Sequence, residues 1–117
     1  VDINSLLSAP STTVVAQATN GIATATISGR PGFTNLVIGV TVSANGAVAA
    51  AVLFQITDPN YGSLEEFYLP ASAFAPIAIN YHHGLAGSPG STITATLPAL
   101  GAAITGKIAV KYIAVWS

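Results

Sequence analysis

The sequence predicts an all-β fold, an antiparallel β-sandwich or barrel of about eight strands, and three observations carry the prediction. Apolar and polar residues alternate with a period of two along most of the chain, the mark of half-buried strands. The alternating segments are filled by Val, Ile, Thr, Ala and aromatic residues, most of which suit a pleated surface. Between them lie turn signals at Asn20-Gly21, Gly29 to Gly32, Asn45-Gly46, Asp58 to Gly62, Pro70, Gly84 to Gly90 and Pro98 to Gly101. A spacing of about 10 to 15 residues suits short antiparallel strands.

A length of 117 residues fits one domain. Residues 1–10 show no strand alternation and read as an N-terminal arm, with residues 11–117 as a single sandwich domain. The arm carries Ile3, Leu6 and Leu7, which either seal their own sandwich as a short helical turn or clasp an adjacent subunit. Strands are expected near 12–19, 22–28, 33–44, 47–57, 64–69, 74–81, 91–97 and 105–116. Asn45-Gly46 is the clearest local signal, because both residues tolerate the positive φ of a type I′ hairpin. Such a turn sets Ala44 opposite Ala47, Val42 opposite Ala49, Val40 opposite Ala51, Ile38 opposite Leu53 and Leu36 opposite Gln55 on the core face. The other face then carries Val37, Val48, Val52 and Phe54 and is still half apolar.

The last segment repeats this two-sided character. Ile108, Val110, Tyr112, Ala114 and Trp116 line one face, and Ala109, Lys111, Ile113 and Val115 the other. A sandwich strand with one solvated face alternates apolar with polar, so apolar residues on both faces imply that a loop or a neighbouring subunit covers part of the outside. The candidate interface is Ile3, Leu6, Leu7, Val37, Val48, Val52, Phe54, Ile113 and Val115.

Composition points the same way. Only seven residues are charged, Asp2, Arg30, Asp58, Glu65, Glu66, Lys107 and Lys111, or 6% of the chain, while 51% are apolar; an ordinary domain carries about 25% charged residues. A net charge of −1 with three basic residues gives no electrostatic footprint for nucleic acid. The longest unbroken apolar run, Ala47 to Phe54, is far short of the ~18 residues of a spanning helix, so no membrane partner is expected. The absence of Cys excludes disulfides, zinc-thiolate sites and a Cys nucleophile. The chain starts at Val1 without the features of a secretory signal, which fits either a trimmed Met or a removed leader.

Little of the sequence suggests chemistry. His82 and His83 are the only histidines, and adjacent strand residues point to opposite faces, which makes them a poor ligand pair. Glu65 and Glu66 diverge for the same reason and cannot flank one glycosidic bond; solvation, or pairing with Arg30, Lys107 or Lys111, suits them better. Asp58 reads as a turn initiator whose side chain accepts amides two residues on. No Gly-x-Ser-x-Gly elbow is present. No catalytic residue, cofactor or metal site is expected. Tyr61, Phe67, Tyr68, Phe74, Tyr81 and Trp116 could form a sugar-stacking surface, although aromatic residues more often fill cores.

Several segments carry a resemblance: Ala23-Thr24-Ala25-Thr26-Ile27-Ser28-Gly29, the apolar stretch about Asn45-Gly46, Tyr68-Leu69-Pro70-Ala71 and Ala75-Pro76-Ile77-Ala78-Ile79. Gly90-Ser91-Thr92-Ile93-Thr94-Ala95-Thr96-Leu97 and Gly106-Lys107-Ile108-Ala109-Val110-Lys111-Tyr112 complete it. From Ala23 to Ser117 this order resembles small jelly-roll virion proteins of tailed bacteriophages, of the capsid decoration or cement type. The resemblance implies an eight-stranded jelly roll, a homotrimer, a shell protein as partner and a place on the capsid surface. It is one of pattern, with no chemically diagnostic residue. The alternatives are a receptor- or glycan-binding module of a phage fibre or tail tip, and a secreted adhesin-type domain.

Overall fold

The computed structural model describes residues 11–116. Eight strands run in the order β1 (Thr12–Thr19), β2 (Ala23–Ile27), β3 (Phe33–Ala44), β4 (Val52–Asp58), β5 (Gly62–Leu69), β6 (Ile77–Ala86), β7 (Ile93–Leu97) and β8 (Thr105–Trp116), with no helix among the described residues. They form two four-stranded sheets, β1-β8-β3-β6 and β2-β7-β4-β5, and all pairs are antiparallel. This strand order, with successive strands crossing between sheets everywhere except from β4 to β5, is that of the eight-stranded jelly roll. The arm at residues 1–10, with Ile3, Leu6 and Leu7, lies outside the described residues.

Asn45-Gly46 does not turn a hairpin. β3 pairs with β8 and β6, β4 pairs with β5 and β7, and neither Asn45 nor Gly46 has a positive φ. Asn45 ends β3 by bonding to β8: its N–H donates to the Thr105 carbonyl at 3.1 Å, and its side-chain oxygen accepts the Thr105 N–H at 2.8 Å. Residues 47–51 then cross to the other sheet, where Val48 donates to the Ser72 carbonyl and Ala49 to that of Leu100. A local turn preference yields here to long-range pairing. The one hairpin between consecutive strands among the described residues joins β4 to β5 at Asp58–Gly62, with Gly62 at φ 80°.

A second correction concerns the faces of β3. Val37 and Val40 are both buried, an odd spacing that a regular strand cannot give, and the ladder shifts between Val37 and Gly39. Ile38 is the extra residue of a bulge. It turns Asn35 and Val37 inward and sends Leu36 outward to pair with Ile113. Opposite Ile38, residues 81–84 of β6 make a wider bulge, and Gly84, at φ 74°, sits so close to Leu36 that an added Cβ would lie 2.4 Å from its Cγ. The chain's own β6 thus covers Leu36 on the outer face.

The expected interface changes accordingly. Val37 and Phe54 are 0% exposed and Val48 is 3% exposed, all three in the sandwich core, and Ile113 is also buried. The first three side chains fill the chain's own core, and Ile113, beside Leu36 on the outer face, is covered by the chain itself. Val52 and Val115 are half-buried, Val52 against the core.

The core is graded from side to side. The sheets come close where β1 faces β2, and the inward residues there are Ala16, Ala18, Ala23 and Ala25, with Val14 and Ile27 at the end away from the β1–β2 turn. Phe54, Phe67, Ile77, Ile79 and Tyr81 fill the side of β5 and β6, with the Phe54 and Phe67 rings 5.0 Å apart. Small side chains let the backbones close in, and large ones occupy the space that close-packed interiors do not leave empty.

Candidate functional site

The outer face of the β1-β8-β3-β6 sheet is set by register. Thr13, Lys111, Gly39 and Asn80 form one row across it, Val15, Ala109, Thr41 and Ala78 the next, and Gln17, Lys107 and Ser43 a third. Gly39, Ala78 and Ala109 keep the floor low, so a recess of about 180 Å³ opens there, walled by Thr13, Thr41, Asn80 and Lys111. A second recess of about 280 Å³ lies among Gln17, Ser43, Asn45, Thr105 and Lys107. Two of the chain's three basic residues therefore stand on this face, four residues apart on β8, or roughly 13 Å at the usual rise per strand residue. The face can donate and accept hydrogen bonds and attract an anionic group.

The opposite outer face is built of hydroxyls. Thr26, Thr94, Thr57 and Ser63 make one row, and Thr24, Thr96, Gln55 and Glu66 another. Its charge is acidic and sits at the edge strand. Glu66 accepts from the Gln55 amide at 3.1 Å and from the Ser63 hydroxyl at 3.2 Å.

Glu65 lies on the other side of β5, opposite Ile56, and accepts from the Tyr81 hydroxyl of β6 at 3.3 Å. This contact links the edges of the two sheets. Burial first, and then the Glu65 charge and hydrogen bond, push the Tyr81 pKa above its ordinary value. The two carboxylates thus diverge as adjacent strand residues should. Their bonding partners are neutral groups, while Arg30 lies over the Phe33 ring at 3.6 Å.

Asp58 behaves as a turn initiator and as more. It is 2% exposed. Its Oδ2 accepts the N–H groups of Asn60 and Tyr61, both at 2.9 Å, and its Oδ1 accepts the N–H of Ser88 at 3.0 Å. The Ser88 hydroxyl donates to Oδ2 at 2.9 Å and accepts from the Asn60 amide at 2.9 Å, and that amide also reaches Ser91. Burial is the largest influence on Asp58 and works to raise its pKa, but the N–H groups of Ser88, Tyr61 and Asn60 and the Ser88 hydroxyl together hold it below the ordinary carboxylate value. Buried Asn35 extends the knot through Nδ2 to the carbonyls of Ser28 and Ser91. Bonded directly to Ser88, this carboxylate orients the β6–β7 loop.

The other sequence candidates are dispersed. His82 and His83 are exposed in the β6 bulge, and no group of three or more His, Asp or Glu suited to a metal occurs among the described residues. Of the aromatic residues, Phe67, Phe74 and Tyr81 pack against the core. Tyr61, Tyr68 and Trp116 are exposed, on the β4–β5 turn, on β5 and at the end of β8. Trp116 stacks on Phe33 at 4.4 Å, which makes Arg30, Phe33 and Trp116 a three-layer stack. Neither the stack nor the recesses were marked in the sequence, since both depend on which strand lies beside which.

No protein-family model and no curated protein matches the chain. Among solved structures it is similar to the CBM36-1 domain of a multidomain xylanase from the hindgut metagenome of Trinervitermes trinervoides, at 12% identity over 92% of this chain and 100% of that one, with a TM-score of 0.47. It is also similar to a carbohydrate-binding module CBM36 in complex with calcium and xylotriose, at 9% identity over 86% of this chain and 78% of that one, with a TM-score of 0.41. A chain of tomato aspermy virus is similar at 9% identity over 87% of this chain and 76% of that one, with a TM-score of 0.42. The strand order alone establishes the fold.

Proposed function

We propose that the chain is a non-enzymatic virion protein that decorates a tailed-phage capsid, self-associates and cements the shell by bridging its subunits. The observation that carries this reading is the scarcity of charge on the folded surface. Asp58 is withdrawn into the loop knot, which leaves at most six charges for 6222 Å² of surface, while Val15, Ile22, Tyr68 and Trp116 stand exposed. A surface of this kind gains by being covered. At about 25 cal/mol per Å², burying 800 Å² of apolar area contributes on the order of 20 kcal/mol before the costs of association remove most of it. Many modest joints therefore suffice to strengthen a particle. In this reading Ile3, Leu6 and Leu7 of the arm and Val115 supply apolar contacts, and Lys107 and Lys111 face acidic groups of the shell.

The test is co-sedimentation of the purified protein with undecorated capsids, followed by heating. Binding with a raised rupture temperature supports the reading; protein left wholly in the supernatant at micromolar concentration sinks it. A second reading, a glycan-binding module of a fibre or tail tip, is favoured by one feature, the 180 Å³ recess with its hydrogen-bonding rim of Thr13, Thr41, Asn80 and Lys111. Retardation in gels containing host polysaccharide, lost on Asn80→Ala, would favour that reading over the cement role.

A further inference from the structure

A jelly roll has four edge strands, and here they differ. β6 is broken by its bulge at residues 81–84. β5 shifts register between Ile56 and Thr57 of its partner and carries Glu65 and Glu66. β2 is only five residues long. Bulges, charges and shortness are the devices that stop a sheet edge from recruiting another chain. β1 has none of them: its eight residues, TTVVAQAT, include no charge, Pro or Gly, and they pair with β8 in unbroken register from Thr12–Tyr112 to Thr19–Thr105.

We propose that β1 pairs antiparallel with β1 of a second copy across a twofold axis, joining the two β1-β8-β3-β6 sheets into one. This rests on the self-association proposed above and names its surface. About half of the N–H and C=O groups of an edge strand point away from its neighbour, which for β1 is β8 alone among the described residues, and a second β1 satisfies them. Symmetry and sidedness restrict the register. Val14, Ala16 and Ala18 face the core, while Thr13, Val15, Gln17 and Thr19 face outward; residues opposite each other must share a face. Centring the axis on Val15 meets this condition and covers Val15, which is 54% exposed, with its own counterpart. Thr13 then faces Gln17 of the second copy. A closed threefold ring would need β1 to join a different edge, and each of the others carries a blocking feature. Pairing through β1 thus closes as a twofold, where the resemblance implies a trimer.

The chain's lack of cysteine makes the test clean. Opposed residues in an antiparallel pair have Cα atoms about 4.5–5.5 Å apart, within disulfide range. Light scattering of the unaltered protein at 10–100 μM should give about twice 11.7 kDa. Val15→Cys should form a covalent dimer on mild oxidation. Thr13→Cys and Gln17→Cys should each do so poorly alone but cross-link when mixed. Val15→Lys, which sets like charges against each other, should weaken dimerisation at least tenfold with an unchanged far-UV spectrum. An oligomer that survives Val15→Lys and does not cross-link through Val15→Cys would overturn the β1 edge while leaving self-association standing. A monomer at every concentration would overturn both.

Discussion

The two ends of the sandwich are fastened by different means. At one end the β2–β3, β4–β5 and β6–β7 loops converge near Asp58, where side chains add to the backbone bonds of Gly87 to Asn35 and Gly90 to Phe33: Asp58, Asn60, Ser88 and Ser91, with Asn35 and Thr92 holding the margin. At the other end the β1–β2, β3–β4, β5–β6 and β7–β8 loops are joined mainly by backbone groups, Asn20 to Ile104, Asn45 to Thr105, Val48 to Ser72 and Ala49 to Leu100. The first end rests part of its stability on one ionised group. The second spreads it over the main chain, where no single side chain is decisive, and it adjoins the recess of Gln17, Ser43, Asn45, Thr105 and Lys107.

Asp58→Ala should therefore produce the largest loss. It removes the acceptor of the Asn60, Tyr61 and Ser88 N–H groups and of the Ser88 hydroxyl; Ser88 is buried, and each buried unpaired donor there costs about 1–3 kcal/mol. An overall loss on the order of 4 kcal/mol in urea unfolding is expected. A loss below about 1 kcal/mol would show that the knot is ornamental and that the two ends are equally distributed.

Gly29→Ala follows. Its Cβ would lie 2.2 Å from the Gly90 carbonyl oxygen and 2.6 Å from the Ser91 carbonyl carbon, both backbone. Two main chains must separate to admit one methyl, so a cost of about 3 kcal/mol is expected from overpacking of this kind. A melting temperature within a degree or two of the unaltered protein would contradict the tight convergence of the β2–β3 and β6–β7 loops.

Acid should distinguish the ends without any change of shape. The native fold holds Asp58 below its ordinary pKa, so the unfolded chain binds the proton more readily. The stability that Asp58 contributes is complete above the unfolded carboxylate pKa of about 3.9 and is lost as pH falls through the depressed native value. Amide exchange should accelerate with acid, beyond its intrinsic pH dependence, at Asn60, Tyr61 and Ser88 sooner than at Val48 and Ala49. In Asp58→Asn the difference between ends should no longer depend on pH in this range, and a persisting acid step at the knot would assign it to another group.

These contrasts also explain which parts of the fold the sequence disclosed. β1, β3 and β8 fall at the bounds expected from alternation and turn residues alone, because strand formation follows the local pattern. The Asp58 turn was legible because the N–H groups that donate to it lie two and three residues away. Ser88, thirty residues distant, was not. The hairpin at Asn45-Gly46 failed for the same reason: its bonding partners are Thr105 and, one step on, Ser72 and Leu100. The bulge at Ile38 was invisible too, since reading a strand with unbroken period two gives no place for an extra residue, and it reversed which of Leu36 and Val37 faces the core.

Gly46→Ala should show the smallest effect and so completes the comparison. Its Cβ would meet the Cδ1 of Ile104 at 2.9 Å, as tight in distance as several contacts at the knot. The obstacle here is the far end of a flexible side chain, and Gly46 has no positive φ to forfeit. Ile104 is only half-buried and can rotate aside. A cost of about 1 kcal/mol or less is expected, with cross-sheet backbone bonds intact by amide exchange. If Gly46→Ala instead cost as much as Gly29→Ala, the second end would be as rigidly packed as the first.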